Sequence, residues 1–159
     1  MDLQNEAPES DFQIISQVFR DGSPIPPQYT CKGQNVSPPL NFLNVPDGAQ
    51  CLALIMHDPD APVGDFTHWL VWDIPTSTET IAANSIPVGA VQGMNDMDEV
   101  GYTGPCPPAG TGTHRYVFEA YALSAALSLE SGSNRAQLQQ AMSGKVVAAA
   151  TLVGTFAAD

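Results

Sequence analysis

The sequence contains very few basic residues. Five lysine and arginine residues stand against seventeen aspartate and glutamate residues, so the formal net charge is −12 at pH 7. A surface with this excess of negative charge repels the phosphates of nucleic acids and of anionic membranes. The charge balance therefore excludes nucleic acid as an expected partner.

Long apolar runs are missing as well. No stretch of about 18 apolar residues exists, and a membrane-spanning helix needs roughly that length. The first residues, MDLQNEAPESD, are acidic where a secretory signal is basic and then apolar. We expect a cytoplasmic protein without stable membrane insertion, in which residues 1–11 form a mobile N-terminal tail and residues 12–159 form a single domain.

Cysteine is scarce, and its spacing is uninformative. Cys31, Cys51 and Cys106 form no CxxC pair, which argues against a disulfide scaffold and against a thiolate metal site but leaves one bridge possible. The chain also has no Gly-rich phosphate loop, no serine nucleophile elbow and no metal-binding triad with suitable spacing. We therefore expect neither a metal nor an organic cofactor.

Turn-forming residues, in contrast, are abundant. The chain has fourteen prolines and thirteen glycines, and both residue types interrupt helices. Long helices are therefore unexpected, and the apolar segments predict strands instead. The clearest strands are predicted over 51–57, 67–74, 114–123 and 146–156, the last with an interruption at Gly154.

One short helix is also expected. An i, i+3, i+4 apolar stripe predicts it over residues 135–142, where Ser133-Asn134 can cap its start and Gly144 can end it. Three other segments have weaker patterns. Residues 12–19 predict an imperfect strand, residues 23–46 an ordered proline-rich loop, and residues 88–91 a short edge strand.

Two histidines lie beside the least regular loops. His68 and His114 each open a predicted strand, and we expect loops 58–66 and 92–113 to reach the same sheet edge and to form one rim. Such a rim offers imidazole donors to an anion, carboxylates that orient the imidazoles, and prolines as a dry wall. The candidate ligand is a phosphate-sized anion, to which the Tyr116 hydroxyl adds a donor.

Several segments carry a family resemblance. DPDAP (58–62), HW (68–69) and PPAGTGTHRY (107–116) are similar to the signature regions of the phosphatidylethanolamine-binding protein family, also called Raf kinase inhibitor-like proteins. YTCKGQNVSPPL (29–40), the GPCPP turn and the LVGTF ending resemble its bacterial and archaeal branch. The resemblance implies a mainly β fold, in which a large antiparallel sheet packs against a smaller sheet, with one or two short peripheral helices.

The resemblance also implies a ligand site. The family's pocket positions correspond here to six residues: Asp58, Asp60, His68, Pro108, His114 and Tyr116. By this resemblance Asp58 orients a histidine, while His68 and His114 face the anion. Tyr116 donates its hydroxyl, and Pro108 lines the wall. Asp60 either contacts the ligand or holds the loop, and Arg115, on the opposite face of its strand, pairs with a carboxylate.

The sequence departs from the animal members of that family, which continue into a C-terminal helix that partly covers the pocket. It stops at Asp159, directly after LVGTF. The cavity mouth is therefore expected to be more open, or to be covered by a partner subunit in a homodimer, and a lipid headgroup is not the expected ligand. Cys31 and Cys106 both lie near prolines, so a bridge between them is the alternative to two free thiols, which are the default in a reducing cytoplasm.

These observations predict a non-enzymatic binding protein. It would capture a small anion or phosphorylated group and modulate or inhibit a protein partner such as a kinase or a hydrolase. The alternative is a hydrolase or metal-dependent enzyme that uses the cluster of His68, His114 and Asp58. A structural or assembly role is the third hypothesis. His57 is assigned to a strand end, with no function.

Overall fold

The computed structural model describes residue 3 and residues 10–158. In that part of the chain, nine strands, one α-helix and a 3-10 turn at Pro27–Tyr29 are formed. In chain order the strands and the helix are β1 (Gln13–Ile15), β2 (Ser23–Pro24), β3 (Leu40–Leu43), β4 (Cys51–Asp58), β5 (Phe66–Ile74), β6 (Thr80–Ile81), β7 (Val91–Gln92), β8 (His114–Leu123), α1 (Arg135–Met142) and β9 (Val146–Phe156).

The strands form two sheets. The larger sheet has the order β2-β9-β8-β4-β5-β7, and the smaller has the order β1-β3-β6. All of these pairings are antiparallel except the short contact between β2 and β9, which is parallel. The smaller sheet packs on one face of the larger sheet through a shared apolar cluster. The predicted mainly β fold, a large sheet against a smaller one, is confirmed.

The position of strand β4 between two cores explains why its sequence is continuously apolar. Leu52, Leu54 and Met56 belong to the core between the two sheets. Ala53 and Ile55 belong to a second core on the other face, which the helix covers with side chains including Leu138 and Met142. Both faces of the strand are therefore buried, and a period-2 alternation of polar and apolar residues is not needed.

The helix forms as its sequence predicts. The Asn134 side chain accepts a hydrogen bond from the Gln137 amide, and the Gln137 side chain accepts one from the Asn134 amide, which is a complete capping box. Gly144 has a φ of 80°, the left-handed geometry that stops a helix cheaply only at glycine. The predicted strands at 51–57, 67–74, 114–123 and 146–156 are confirmed as well, but the last is not interrupted at Gly154, which pairs with Tyr116 of β8.

Other predictions need correction. Only 13–15 of the predicted strand 12–19 is a strand, and the edge strand predicted at 88–91 lies at 91–92. The segment 23–46 is not all loop, because after Pro38-Pro39 the chain is free to pair and strand β3 buries Leu40 and Phe42. Most of the predicted mobile tail 1–11 lies outside the described residues. Leu3, which is described, is buried in the second core.

The sheet order brings three strand ends together. Strand β4 is antiparallel to both β5 and β8, so the end of β4 lies at the same edge as the starts of its two neighbours. Asp58 is opposite Phe66, and His57 is opposite both Thr67 and Val117. The loops that leave this edge surround the candidate site.

Candidate functional site

A cavity of about 390 Å³ opens at this sheet edge. Four buried polar or aromatic side chains form what we call the cavity floor: Asp58, His68, His114 and Tyr116. The walls come from the loops and are mostly apolar: Ala61, Pro62, Val63, Phe66, Met97, Pro107, Pro108 and the Cys31 and Cys106 side chains. The two distant loops named from the sequence therefore do converge.

His114 is held at both ring nitrogens. Its Nδ1 lies 2.7 Å from Asp58 Oδ2, and its Nε2 lies 2.9 Å from Thr111 Oγ1. The Thr111 hydroxyl donates its one hydrogen to the Pro108 carbonyl at 2.6 Å, so it must accept from Nε2. A carboxylate also only accepts, so both nitrogens of His114 carry hydrogens, and the buried pair with Asp58 is a charge-assisted one.

His68 has a different environment. Its Nδ1 lies 2.6 Å from the Thr103 carbonyl, and no described protein group is bonded to its Nε2. Burial lowers the pKa of this ring, although the Thr103 carbonyl and the Asp58 charge act in the opposite direction. Its centroid lies 4.8 Å from that of Phe66 and 5.3 Å from that of Tyr116.

Tyr116 lies between the two imidazoles. Its ring stacks on His114 with a centroid distance of 6.3 Å, and it makes a T-shaped contact with the His68 ring. Burial raises the pKa of its phenol, with the charges of Asp58 and Asp60 acting in the same direction. The hydroxyl is therefore protonated at neutral pH, and among the described residues nothing accepts its hydrogen.

Asp60 does not line the cavity. Its carboxylate forms a bidentate pair with the Arg115 guanidinium at 2.8 Å and 2.9 Å, and it also accepts from the Arg115 amide. Hydrogen bonds from Arg115 hold the pKa of this carboxyl at about 2. The pairing expected for Arg115 is thus observed. Because the Asp60 amide donates to Asp58 Oδ1 at 2.8 Å, the residue also fixes the start of the loop.

Cys31 and Cys106 form a disulfide with a Cα–Cα distance of 5.4 Å. The default expectation of two free thiols is therefore wrong. The bridge ties the segment after the 3-10 turn to the Pro107-Pro108 turn, so two cavity walls that are 75 residues apart in sequence are joined. Cys51 remains a free thiol buried in the second core, and burial together with nearby Asp73 raises its pKa to about 11.

Two residues that organise the floor were not foreseen. Thr111 binds His114 with its side chain, and the Thr103 carbonyl binds His68. A backbone carbonyl leaves no mark on the identity of its residue, so the second contact could not be predicted. The first had one weak signal, a hydroxyl residue three positions before the histidine.

His57, to which no function was assigned, has a structural role outside the cavity. Its two ring nitrogens contact Asp65 Oδ1 at 2.7 Å and Glu119 Oε1 at 2.8 Å. Arg135 of the helix contacts the other oxygen of Asp65 at 3.0 Å. We call these four residues the outer charge network. It ties the loop 59–65, one wall of the cavity, to the sheet and to the helix.

Within residues 3 and 10–158, no three or more histidine, cysteine, aspartate or glutamate side chains are grouped so that they could hold a metal ion. Among the same residues, no helix has the length and apolar character needed to cross a membrane.

Comparison with known proteins gives consistent matches. A sequence model of the family described as phosphatidylethanolamine-binding protein matches residues 15–157. The crystal structure of CT736 from Chlamydia trachomatis, described as a homologue of such proteins, is 43% identical with a TM-score of 0.88 and covers 93% of this chain and 98% of its own. YbcL of E. coli is 29% identical, also with a TM-score of 0.88, over 94% and 100% of the two chains.

A third relative is a Mycobacterium tuberculosis protein, LppC, whose name classes it provisionally as a lipoprotein. It is 44% identical over 157 residues, which is 98% of this chain and 78% of the relative.

Proposed function

Because the chain belongs to the phosphatidylethanolamine-binding protein family, we propose that its cavity captures a small oxyanion or phosphorylated group without converting it. The observation that carries the proposal is the pair of unbonded polar atoms at the cavity floor, the Tyr116 hydroxyl and His68 Nε2. Buried polar groups are nearly always hydrogen-bonded in folded proteins. The two atoms are not among the buried unpaired atoms of the described residues, which are Asn41 Oδ1 and Arg135 Nε, so they open into the cavity, where a ligand supplies their partners.

Each floor residue has a part in this proposal. Tyr116 donates to a ligand oxygen from β8, and His68 faces the same ligand from β5, on the other side of β4. Asp58 and His114 neutralise one another and form a rigid base under Tyr116, because both ring nitrogens of His114 are already bonded. Pro108 holds Thr111 through its carbonyl. Asp60 acts indirectly, through the loop.

Hydrolysis is the alternative that one observation favours. His68 has the free ring nitrogen that a general base needs. Against it, the two cysteines lining the cavity are consumed in the disulfide, and no serine among the described residues lines it. Release of nitrophenol from a panel of nitrophenyl esters and phosphates, lost in the variant His68→Asn, would favour hydrolysis over simple binding.

Titration calorimetry tests the binding proposal. Inorganic phosphate, phosphoethanolamine and citrate are titrated into the whole chain and into the variant Tyr116→Phe. Loss of a hydrogen bond to a charged ligand is expected to weaken binding by about 10- to 100-fold. Tyr121→Phe is the matched control, because its hydroxyl bonds Glu119 away from the cavity. Absence of heat with all three ligands, or equal affinities of the two variants, contradicts the proposal.

The cavity mouth also offers a docking surface for a protein partner. Val63 is 89% exposed and Met97 is 57% exposed, and both line the cavity. Contiguous exposed apolar patches mark interaction surfaces, and these two side chains line the mouth of one cavity. We propose that a second copy or a regulated kinase or hydrolase binds there. Light scattering of the parent and of Val63→Asp tests the homodimer, which requires a dimer mass that falls in the variant.

The disulfide bears on the location of the protein. Such bridges persist in oxidising compartments and are rare in the cytoplasm. The Cys31–Cys106 bridge therefore supports a location outside the reducing cytoplasm, in place of the cytoplasmic location expected from composition. Fractionation of cells with alkylation of free thiols before lysis tests this, since a cytoplasmic chain carrying reduced Cys31 and Cys106 contradicts it.

A further inference from the structure

The hydrogen bonds of the cavity floor determine which proton a ligand must carry. A carbonyl oxygen only accepts, so the 2.6 Å contact between His68 Nδ1 and the Thr103 carbonyl requires a hydrogen on Nδ1. In neutral imidazole the other nitrogen then has no hydrogen and offers a lone pair. His68 Nε2 is therefore an acceptor in the free protein and not a donor.

The surroundings of His68 favour its neutral form. The residue is only 5% exposed, and burial is the largest influence on its pKa, which is lowered. The titratable or charged groups that act on it or pack on it come from β4, from β8 and from the loop after β7: Asp58, His57, Tyr116 and Asp96. Neither carboxylate among them is hydrogen-bonded to His68 in the described structure.

No fixed positive charge is available to a ligand in this cavity. Lysine and arginine are absent from the described residues that line it. The charge of His114 is matched by Asp58, and its nitrogens are bonded to Asp58 and Thr111. Among the four floor side chains, the Tyr116 hydroxyl is the one free donor and His68 Nε2 is the one free acceptor. A fully ionised dianion satisfies the donor and leaves the acceptor facing a negative oxygen.

The walls add a second requirement. Pro62, Val63, Phe66, Met97 and Pro107 present mainly carbon atoms to the cavity. Its volume of about 390 Å³ is larger than a phosphate group alone requires. A ligand that covers these side chains with an apolar substituent gains affinity from the area that both surfaces bury.

We propose that the cavity selects phosphomonoesters in their monoprotonated form, with the P–OH group donating to His68 Nε2, another phosphoryl oxygen accepting from Tyr116, and an apolar substituent against the walls. This rests on the proposed function and adds the class of ligand. Sulfate monoesters and phosphodiesters have the same single charge but no O–H, so they leave His68 Nε2 without a partner. A phospholipid headgroup linked as a diester is disfavoured for this reason.

The decisive comparison uses the parent protein and two esters of equal shape. At about pH 5, phenyl phosphate is mostly a monoanion with one O–H, because the second pKa of a phosphomonoester is about 6. Phenyl sulfate is a monoanion with none. Calorimetry is expected to show phenyl phosphate bound at least about tenfold more tightly. The affinity for phenyl phosphate should also exceed the affinity for inorganic phosphate, which cannot cover the apolar walls.

The proton itself can be counted. At about pH 8 phenyl phosphate is a dianion, so the complex must take one proton from solvent. Binding should then weaken about tenfold for each pH unit above about 6, and the measured enthalpy should vary with the ionisation enthalpy of the buffer. At about pH 5 that buffer dependence should vanish for phenyl phosphate.

A variant assigns the effect to His68. In His68→Asn the amide can still donate to the Thr103 carbonyl, but no group replaces Nε2, so the preference for phosphate over sulfate should fall towards one. Tyr121→Phe is the control, since its hydroxyl bonds Glu119 away from the cavity. Circular dichroism melts confirm that both variants fold, and the two-ester comparison in the parent needs no variant.

The outcomes separate this proposal from the proposed function. Equal affinity for the two esters in the parent, or an unchanged preference in His68→Asn, overturns the proton-dependent selection and leaves the oxyanion site intact. Equal affinity for phenyl phosphate and inorganic phosphate overturns the part played by the walls. If neither ester nor inorganic phosphate binds, both proposals fail.

Discussion

The cavity floor and the outer charge network use the same kinds of residue for different ends. His57 and Asp58 are neighbours on β4 and point to opposite faces. Outside, both nitrogens of His57 meet carboxylates, and Arg135 completes the network. Inside, His68 meets a carbonyl at one nitrogen and, among the described residues, nothing at the other. Polar groups bonded within the protein stabilise its fold, whereas those that open into a cavity are available to a ligand. One atom of the outer charge network, Arg135 Nε, is nevertheless buried without a hydrogen-bond partner among the described residues.

The largest expected difference between the two regions is in their carboxylates. Asp58→Ala leaves a buried imidazolium without its partner, and removing one member of a buried pair costs about 3–5 kcal/mol. Asp65→Ala removes an aspartate whose side chain is 43% exposed, for which about 1 kcal/mol or less is expected. Urea unfolding measures both. Equal losses of unfolding free energy in the two variants would contradict the larger contribution expected of the buried Asp58–His114 pair.

The disulfide is the next largest contribution. Replacing Cys31 and Cys106 together by serine is expected to lower the free energy of unfolding by about 2–5 kcal/mol, because the bridge closes a long loop. Ligand affinity should fall as well, since two walls lose their link. Thiol titration of the parent should give no reactive thiol when folded, one when unfolded, and three after reduction. Three reactive thiols in the unfolded protein without reduction would refute the disulfide.

Removing the hydroxyl of Tyr121 or of Tyr116 is expected to affect stability differently. Tyr121→Phe removes a hydrogen bond to Glu119 and is expected to cost about 1 kcal/mol of stability. Tyr116→Phe removes a hydroxyl that opens into the cavity and has no described partner, so stability without ligand should stay unchanged. Thermal unfolding without ligand compares them. A larger loss for Tyr116→Phe would mean that its hydroxyl is already bonded in the fold.

The dependence of stability on acid pH is the smallest expected effect, and it tests the Asp60–Arg115 pair at the start of the loop beside the cavity floor. The Arg115 pair lowers the pKa of Asp60 to about 2. A depressed carboxyl pKa adds stability that is present above the unfolded value of about 4 and is lost as pH falls towards about 2. In Arg115→Gln this part of the acid sensitivity should be weaker. Urea midpoints at about pH 5 and about pH 3 measure it, and identical pH dependence in both proteins would argue against the pair.

The sequence was most informative where burial decides the structure. The runs 51–57 and 67–74 predicted their strands because both faces of each are packed, and Asn134 predicted the helix start because capping is local. Short strands such as β3 were missed because only pairing with distant segments makes them strands. Family motifs brought the floor residues together correctly, but pairing partners such as the Thr103 carbonyl depend on tertiary structure alone.

The cysteines show the same limit. Composition and an assumed compartment favoured free thiols, whereas the bridge depends on two loops meeting at the cavity. Asp60 is a similar case. Its motif position suggested a ligand contact, and the alternation of β8 places Arg115 where it takes up that carboxylate.

Nitrogen-detected NMR of the histidine side chains tests the central claim most directly, because the chain has three histidines in distinct environments. Without ligand, His68 should be neutral with its hydrogen on Nδ1, while His57 and His114 show hydrogens on both nitrogens. Addition of phenyl phosphate should then shift the His68 Nε2 resonance strongly and leave both His57 nitrogens unmoved. A His68 resonance that does not respond, or that is already doubly protonated before ligand is added, would contradict the account.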